Sequence, residues 1–259
     1  MATHPYLVGA PTPRILAHRG LVTAEMHAEG IAENTIAAFA AAHAAGAAFI
    51  ESDCHLTKDD EVVLFHDDRL DRIAGIRRAI AEVTLAELES IMSTRGGLAT
   101  LEQALTGFPE MRFNIDVKAA GAAERAGTIV AAHADRILLT SFSDARRRIA
   151  LRAARAAGGS PATSPGRATI VRLLVASKLL PIPWLLRRLL RGIDALQIPE
   201  KQGRIRVLIP RLISAAHRAG VEVHVWTVND ERDMRRLADL GVDGIVTDRA
   251  DRALAHFAG

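Results

Sequence analysis

The sequence predicts an α/β fold in which eight parallel strands, each followed by a helix, close into a barrel, with a β-hairpin inserted after the second strand. Three observations lead there. Short apolar runs alternate with helical patterns along the chain. Eight such runs fit within 259 residues, the usual length of one (β/α)₈ barrel. One additional run follows its predecessor too closely for a crossover helix.

The strand candidates are residues 15–18, 48–54, 112–117, 137–141, 195–198, 222–227 and 244–247, with a weaker run near 168–174 completing the eight. Between the first two, residues 35–45 place Ile36, Phe39, Ala40 and His43 on one helical face, with Asn34 as the expected N-cap. Thr84 with Glu87 and Thr100 with Gln103 read as capping boxes. Asn229 and Gly241 bracket a later helix. Eight repeats in this length favour a closed barrel over a doubly wound open sheet. The exception to the rhythm is the run from Glu61 to His66, which follows the extended stretch 48–57 after only Lys58, Asp59 and Asp60. A parallel return needs a dozen or more residues, so this run reads as a hairpin. It would bring His66 back to the mouth where Asp53 emerges.

Composition narrows the function classes. Apolar residues make up 49% of the chain, which argues against disorder. A net charge of +3 makes no case for nucleic acid. The single Cys54 excludes an intramolecular disulfide framework and fits a reducing compartment. Residues 1–13 show no charged region followed by an apolar core, so no secretory signal is read there, and no uncharged apolar stretch reaches membrane-spanning length. The expectation is a cytoplasmic protein of one domain over residues 1–259, with its core at about 14–250.

Glu51 and Asp53 lie two apart on the second strand and share a face. Two inward acids repel unless neutralised. A hard divalent cation, Mg²⁺ or Ca²⁺, would do this; so would an arginine partner or solvent at the strand end. Asn114, Asp116 and Lys118 repeat the pattern on the strand at 112–117. They suit a third metal carboxylate and a cation for an anionic substrate, or an Asp116–Lys118 pair outside any site. His18, Arg19 and Gly20 end the first strand, at the end of a barrel where active sites sit. Histidine transfers protons near neutral pH, and arginine holds phosphate through paired hydrogen bonds. Two histidines, cations and three carboxylates at one mouth suit phosphoryl transfer. Glu33 could touch a metal or a substrate hydroxyl, or favour a helix dipole. Trp226 could wall the pocket or serve packing alone. Cys54 alternates away from Glu51 and Asp53 and reads as a buried thiol.

Residues 169–196 stand apart: rich in Leu and Ile, with Trp184, Arg187, Arg188 and Arg191, and interrupted by Pro181 and Pro183. The plain reading is a core helix with an irregular loop. The sharper one is an apolar, basic lid making peripheral lipid contact.

Taken together, these residues resemble the glycerophosphodiester phosphodiesterase family. The matching pieces run in order from about residue 15 to 249: Ala17-His18-Arg19-Gly20, Glu33-Asn34-Thr35, Glu51-Ser52-Asp53, Val62 to Asp67, Leu70-Asp71-Arg72, Asn114 to Lys118, Thr140-Ser141-Phe142, Val225 to Asn229 and Gly244 to Asp248. The resemblance implies a TIM barrel, a divalent metal, and hydrolysis of glycerophosphodiesters to sn-glycerol 3-phosphate and an alcohol. It puts acid/base roles on His18 and His66, substrate phosphate on Arg19 and Lys118, and metal on Glu51, Asp53 and Asp116. Two positions depart from the pattern. Asp116 stands where the family usually has Glu, and Asp60 where the hairpin turn usually has Gly. The short stretch from Asp67 to Thr100 reduces any family insertion to about one helix. Two rival readings remain: a lysophospholipase D-like activity on lysophospholipids, and a catalytically silent barrel that binds glycerophosphate ligands.

Overall fold

The computed structural model of the chain describes residues 4–179 and 183–258. Its strands are β1 (Arg14–His18), β2 (Phe49–Leu56), β3 (Val62–Leu64), β4 (Arg112–Val117), β5 (Ile137–Thr140), β6 (Ala162–Thr163), β7 (Ala195–Pro199), β8 (Lys201–Gln202), β9 (Ile205–Arg206), β10 (Glu222–Trp226) and β11 (Gly244–Thr247). Eight of them form a parallel sheet in the order β6-β5-β4-β2-β1-β11-β10-β7. The sheet curls into a nearly closed barrel. Across the seam between β6 and β7, Asp194 N donates to Thr163 O at 2.9 Å and Gln197 N to Ser164 Oγ at 3.1 Å. The expected barrel is therefore present. So is the hairpin: β3 pairs antiparallel with the end of β2, Cys54 opposite Leu64. The turn places Asp60 at φ 64°, a left-handed backbone that aspartate tolerates better than most residues.

One strand was expected in the wrong place. The run near 168–174 is the start of a helix, Arg167–Leu179, and the strand at that point in the barrel is β6. Ile170, Leu173, Leu174 and Ser177 follow helical spacing, with Leu173 and Ser177 buried. β6 has only two residues between Pro161 and Pro165, too short to show a period. The rest of the segment at 169–196 is a second helix, Pro183–Leu189; Pro181 lies outside the described residues. Two caps also shift by one residue. Thr35, not Asn34, caps Ile36–Ala44, its hydroxyl accepting from Ala38 N at 3.2 Å. Asp230, not Asn229, caps Glu231–Asp239. Both asparagines are used in the barrel mouth instead. The capping boxes at Thr84 and Thr100 are formed.

The inward-facing side chains of the barrel lie in layers. Arg14 and Glu222 form an ion pair near the bottom, with Arg14 Nε donating to Glu222 Oε2 at 2.7 Å. Above it Tyr6, Leu16, Phe49, Leu138, Ala162, Ala195 and Val246 form a compact apolar plug. His224 fits beside this plug because Gly244 leaves room. A Cβ on Gly244 would come within 2.6 Å of the imidazole. The residues two further along each strand form the polar mouth. A larger apolar shell joins the outer face of the barrel to its helices and includes Cys54, as expected for a buried thiol. The β3 excursion has a core of its own, built on Val63, Phe65, Leu70, Ile80, Leu88 and Met92. Between Asp67 and Thr100 the chain forms one helix of eight residues, Leu85–Met92, besides single turns at Asp71–Ala74 and Ile80–Glu82. Among the described residues, no helix is long and apolar enough to cross a membrane.

Candidate active site

Strand register sets the site. His18 lies opposite Glu51, and Glu51 opposite Asn114. One layer higher, Asp53 lies opposite Asp116, and Asp116 opposite Thr140. Leu16, Phe49 and Leu138 point into the barrel, so period two turns all of these inward at the carboxyl ends of their strands. Together with Arg19, His66, Lys118 and Trp226 they line one cavity of about 490 Å³. Glu33 is not among the cavity-lining residues and acts through its neighbours.

The loop after β1 is tightly constrained. Arg19 has φ 59°; its N donates to Glu51 O at 2.7 Å and its O accepts from Asn34 N at 2.8 Å. Gly20 has φ 87°, and a Cβ there would meet the Ala38 backbone at 2.8 Å, which only glycine avoids. The Arg19 guanidinium is thus aimed into the site. Its Nη1 donates to Glu33 Oε1 at 2.7 Å, and its Nε lies 3.4 Å from Asp53 Oδ2. Lys118 Nζ sits 2.7 Å from Asp116 Oδ2 and 3.0 Å from Asp53 Oδ1. Asn34, left-handed at φ 57°, accepts from Ser52 Oγ at 2.7 Å.

Each histidine has a carboxylate behind it. His18 Nδ1 donates to Asp248 Oδ1 at 2.6 Å, and His66 Nδ1 to Asp67 Oδ1 at 2.6 Å. A carboxylate on Nδ1 leaves Nε2 as the nitrogen available for proton transfer. His18 Nε2 is 3.8 Å from Glu51 Oε2. Asp248 is held in turn by Asn229, whose Nδ2 donates to Asp248 Oδ2 at 2.7 Å and whose Oδ1 accepts from Asp248 N at 2.9 Å. Arg72 joins the hairpin to the barrel: Nε donates to Asp67 Oδ2 at 2.7 Å and Nη2 to Glu33 Oε1 at 2.6 Å. His55 Nε2 donates to the His66 carbonyl at 3.1 Å and steadies it from below. The sequence assigned Asp248, Asp67 and Arg72 no role, and Asn229 only that of a helix cap. All four fall within the ordered motifs, which was the one available signal.

The electrostatics follow from crowding acids in a buried place. Burial, and then the Asp53 charge, push the Glu51 carboxyl up to about 8. Burial also raises Asp116, against the pull of Lys118. Burial works against the Lys118 ammonium, but Asp116 and Asp53 outweigh it and raise its pKa. Burial likewise lowers His18, and the Asp248 hydrogen bond with the Glu51 charge turns the net direction upward.

Whether these residues suit a divalent ion can be tested on the polar atoms left over. Glu51 Oε2, Asn114 Oδ1 and Asp116 Oδ1 are buried without a hydrogen-bond partner. All are hard oxygen donors of the kind Mg²⁺ and Ca²⁺ take. Lys118 meanwhile takes part of the charge of Asp53 and Asp116. Among the described residues, no group of three or more His, Cys, Asp or Glu side chains is gathered in metal-holding geometry. The donor chemistry fits an ion, while the present arrangement is neutralised by lysine.

The rim is aromatic and apolar. Trp226 packs edge-to-face on Phe142 with centroids 5.7 Å apart, and Lys118 Nζ lies 4.9 Å from the Phe142 centroid. Ile170, Val171 and Leu174, from the Arg167–Leu179 helix, continue this wall with Ile205 and Val207.

Comparison with known proteins agrees with this geometry. The model of the Glycerophosphoryl diester phosphodiesterase family matches residues 18–252. A Mycobacterium tuberculosis protein named "Probable glycerophosphodiester phosphodiesterase 2" is 36% identical over 254 residues, 94% of this chain and 93% of that one. A Rattus norvegicus lysophospholipase D is 25% identical over 273 residues, covering 91% of this chain and 83% of its own. The fold matches an Oleispira antarctica phosphodiesterase solved with its product sn-glycerol-3-phosphate, with a TM-score of 0.72, 22% identity and coverage of 96% and 98%. A family match over nearly the whole chain, beginning at His18 itself, leaves one assignment: the chain belongs to the glycerophosphoryl diester phosphodiesterase family and is a phosphodiester hydrolase.

Proposed function

We propose that the chain hydrolyses glycerophosphodiesters to sn-glycerol 3-phosphate and an alcohol by two-histidine acid/base catalysis, as one domain over residues 1–259. The observation that carries this reading is the pair of imidazoles, each with Nδ1 on a carboxylate at 2.6 Å, in the same cavity as Arg19 and Lys118. Arg19 and Lys118 bind the non-bridging phosphate oxygens and orient the phosphorus between the histidines. One Nε2 takes a proton from the nucleophile, which is water or the glycerol 2-hydroxyl. The other returns a proton to the departing alkoxide. If the hydroxyl attacks, a cyclic phosphate forms first and water then opens it to sn-glycerol 3-phosphate. Asp248 and Asp67 hold the rings and stabilise whichever imidazolium forms. Trp226 and Phe142, packed edge to face, wall the cavity on one side.

Glu51, Asp53 and Asp116 would hold the divalent ion, Mg²⁺ or Ca²⁺. Bound there, it would withdraw charge from the phosphoryl oxygens. Glu33 positions Arg19. The single buried Cys54 supports a reducing, cytoplasmic setting. The test is glycerophosphocholine hydrolysis by the wild type, with and without EDTA, and by His18→Ala and His66→Ala. Each alanine is expected to lower turnover by about 10²–10⁴. Near-normal turnover in either would remove the assignment.

A second reading has its own observation. The wall of Ile170, Val171, Leu174, Ile205 and Val207 gives an acyl chain an apolar surface beside the phosphate cations. It supports a lysophospholipid substrate. Comparing glycerophosphocholine with lysophosphatidylcholine separates the two, the acylated substrate showing the lower KM if this wall is used.

A further inference from the structure

We infer that the chain docks on anionic membrane surfaces through residues 167–178 and 200–206, which flank one side of the barrel mouth. Charge is the first argument. These residues hold six Lys and Arg against Glu200, a net +5, whereas the whole chain is +3 and the remainder therefore −2. Elsewhere the basic residues are commonly paired: Arg14 with Glu222, Arg72 with Glu33, Arg236 with Glu200. Among the described residues, none of these six forms an ion pair through its own side chain. A surface of unpaired cations on an otherwise acidic molecule orients it toward a negative plane.

Exposed apolar side chains accompany that charge. Val171 is 50% exposed, Val175 48% and Ile205 57%, three of the eight large exposed hydrophobics of the described chain. Val171 and Val175 are one helical turn apart, with Arg172 and Lys178 beside them. Lys178 Nζ donates to Arg206 O at 3.1 Å, fastening the helix to the β8–β9 hairpin that carries Ile205. Cations interleaved with aliphatic side chains form the composition of an interfacial surface. It is also continuous with the active cavity, because Val171 and Ile205 line that cavity from the same elements. A docked molecule would present its mouth to the bilayer. The docking does not depend on the hydrolytic reading, and vesicle binding is measured without turnover.

The experiment is co-sedimentation of the full chain with vesicles of phosphatidylglycerol and phosphatidylcholine, against vesicles of phosphatidylcholine alone. The wild type is expected to sediment with the mixed vesicles and to be released by salt. Arg172→Ala with Arg204→Ala should weaken this about 25-fold, at about fivefold for each basic side chain. Val175→Ser should weaken it further. None of the three lines the cavity, so turnover of soluble glycerophosphocholine and the melting temperature should be unchanged. Wild type that stays in the supernatant, equal binding to neutral vesicles, or a variant that sediments like wild type would overturn the proposal. So would a concentration-dependent dimer that buries Val175 while vesicles are ignored.

Discussion

Asp248 offers the sharpest test of how the site is wired, because the structure distinguishes two replacements that chemistry alone would treat as similar. In Asp248→Ala, His18 loses the 2.6 Å hydrogen bond that orients its ring. A hydrogen bond to a charged group contributes about 1.5–3 kcal/mol, so turnover should fall about 10- to 150-fold. In Asp248→Asn the outcome depends on Asn229. Its Nδ2 donates to Asp248 Oδ2, so a new amide nitrogen at that place would meet another donor. The amide is therefore driven to turn its oxygen to Asn229 and its nitrogen to His18 Nδ1. Nδ1 must then accept, and the proton moves to Nε2, the nitrogen that faces Glu51 and the cavity.

Asp248→Asn should thus be the worse replacement, toward the ~10³–10⁴ end of typical acid/base losses. Adding Asn229→Ala frees the amide to present its oxygen to Nδ1 and should recover about tenfold, an interaction opposite in sign to simple additivity. The assay is kcat for glycerophosphocholine hydrolysis in the two single variants and the double variant, with melting temperatures as a folding control. The Asp248 side chain is half exposed, so the melting temperature should barely move. If asparagine is no worse than alanine, or the double variant is the poorest, the tautomer argument fails.

Other expectations follow from single contacts. Gly20→Ala should destabilise the fold by about 1–3 kcal/mol in urea unfolding, because its φ of 87° and the Ala38 backbone at 2.8 Å leave no space for a methyl group. Arg72→Ala should lower kcat several-fold at nearly constant Tm, since it joins Asp67 to Glu33 but is itself half exposed. Burial raises the Glu222 carboxyl, but hydrogen bonds from Arg14 and His224 overcome this and hold it at about 2, below its ordinary 4.5. The resulting stability, about 3 kcal/mol, is present above pH ~4.5 and lost as pH falls toward ~2. Glu222→Gln should therefore be less stable at neutral pH and show a flatter acid limb in melts against pH. Calcium or magnesium should raise the Tm of the wild type and not of Glu51→Gln, an effect read without turnover.

Much of this architecture is legible in the chain because it depends on period and spacing. Alternation turns Glu51 with Asp53, and Asn114 with Asp116 and Lys118, to one face of each strand. The three-residue gap at Lys58–Asp60 forces the hairpin that carries His66. What stays hidden is of another kind. β6 is two residues long and flanked by prolines, so it has no period to read. Asn34 and Asn229 look like helix caps because asparagine favours that place, yet the adjacent Thr35 and Asp230 take it and release both side chains to the mouth. The partners Asp67 and Asp248 are surface-type residues on loops, and Arg72 lies on the single turn Asp71–Ala74. Nothing in their local pattern separates them from solvated charge until the barrel closes β11 onto β1 and brings Asp248 to His18.

The two histidines ride on different bodies. His18 ends a barrel strand whose neighbours on both sides are in register. His66 follows the β3 strand, which pairs with β2 over three residues and rests on a small core of its own. A reaction needing both imidazoles on one phosphorus requires those bodies to hold a fixed distance. Backbone pairing supplies part of this through Phe65 N to Asp53 O at 2.9 Å. The rest runs through charge: Asp67 behind His66 holds Arg72, Arg72 holds Glu33, Glu33 holds Arg19, and Arg19 stands beside Asp53. Each link shares a carboxylate or guanidinium with the next, so no member can shift without uncovering a partly buried charge. Burial raises the Glu33 and Asp67 carboxyls, yet the arginine partners of Glu33 and the Arg72 and His66 partners of Asp67 bring both below the usual range. The same carboxylates that hold Arg19 and His66 therefore also tie the excursion to the barrel. This explains why acids outside the cavity belong to the ordered motif.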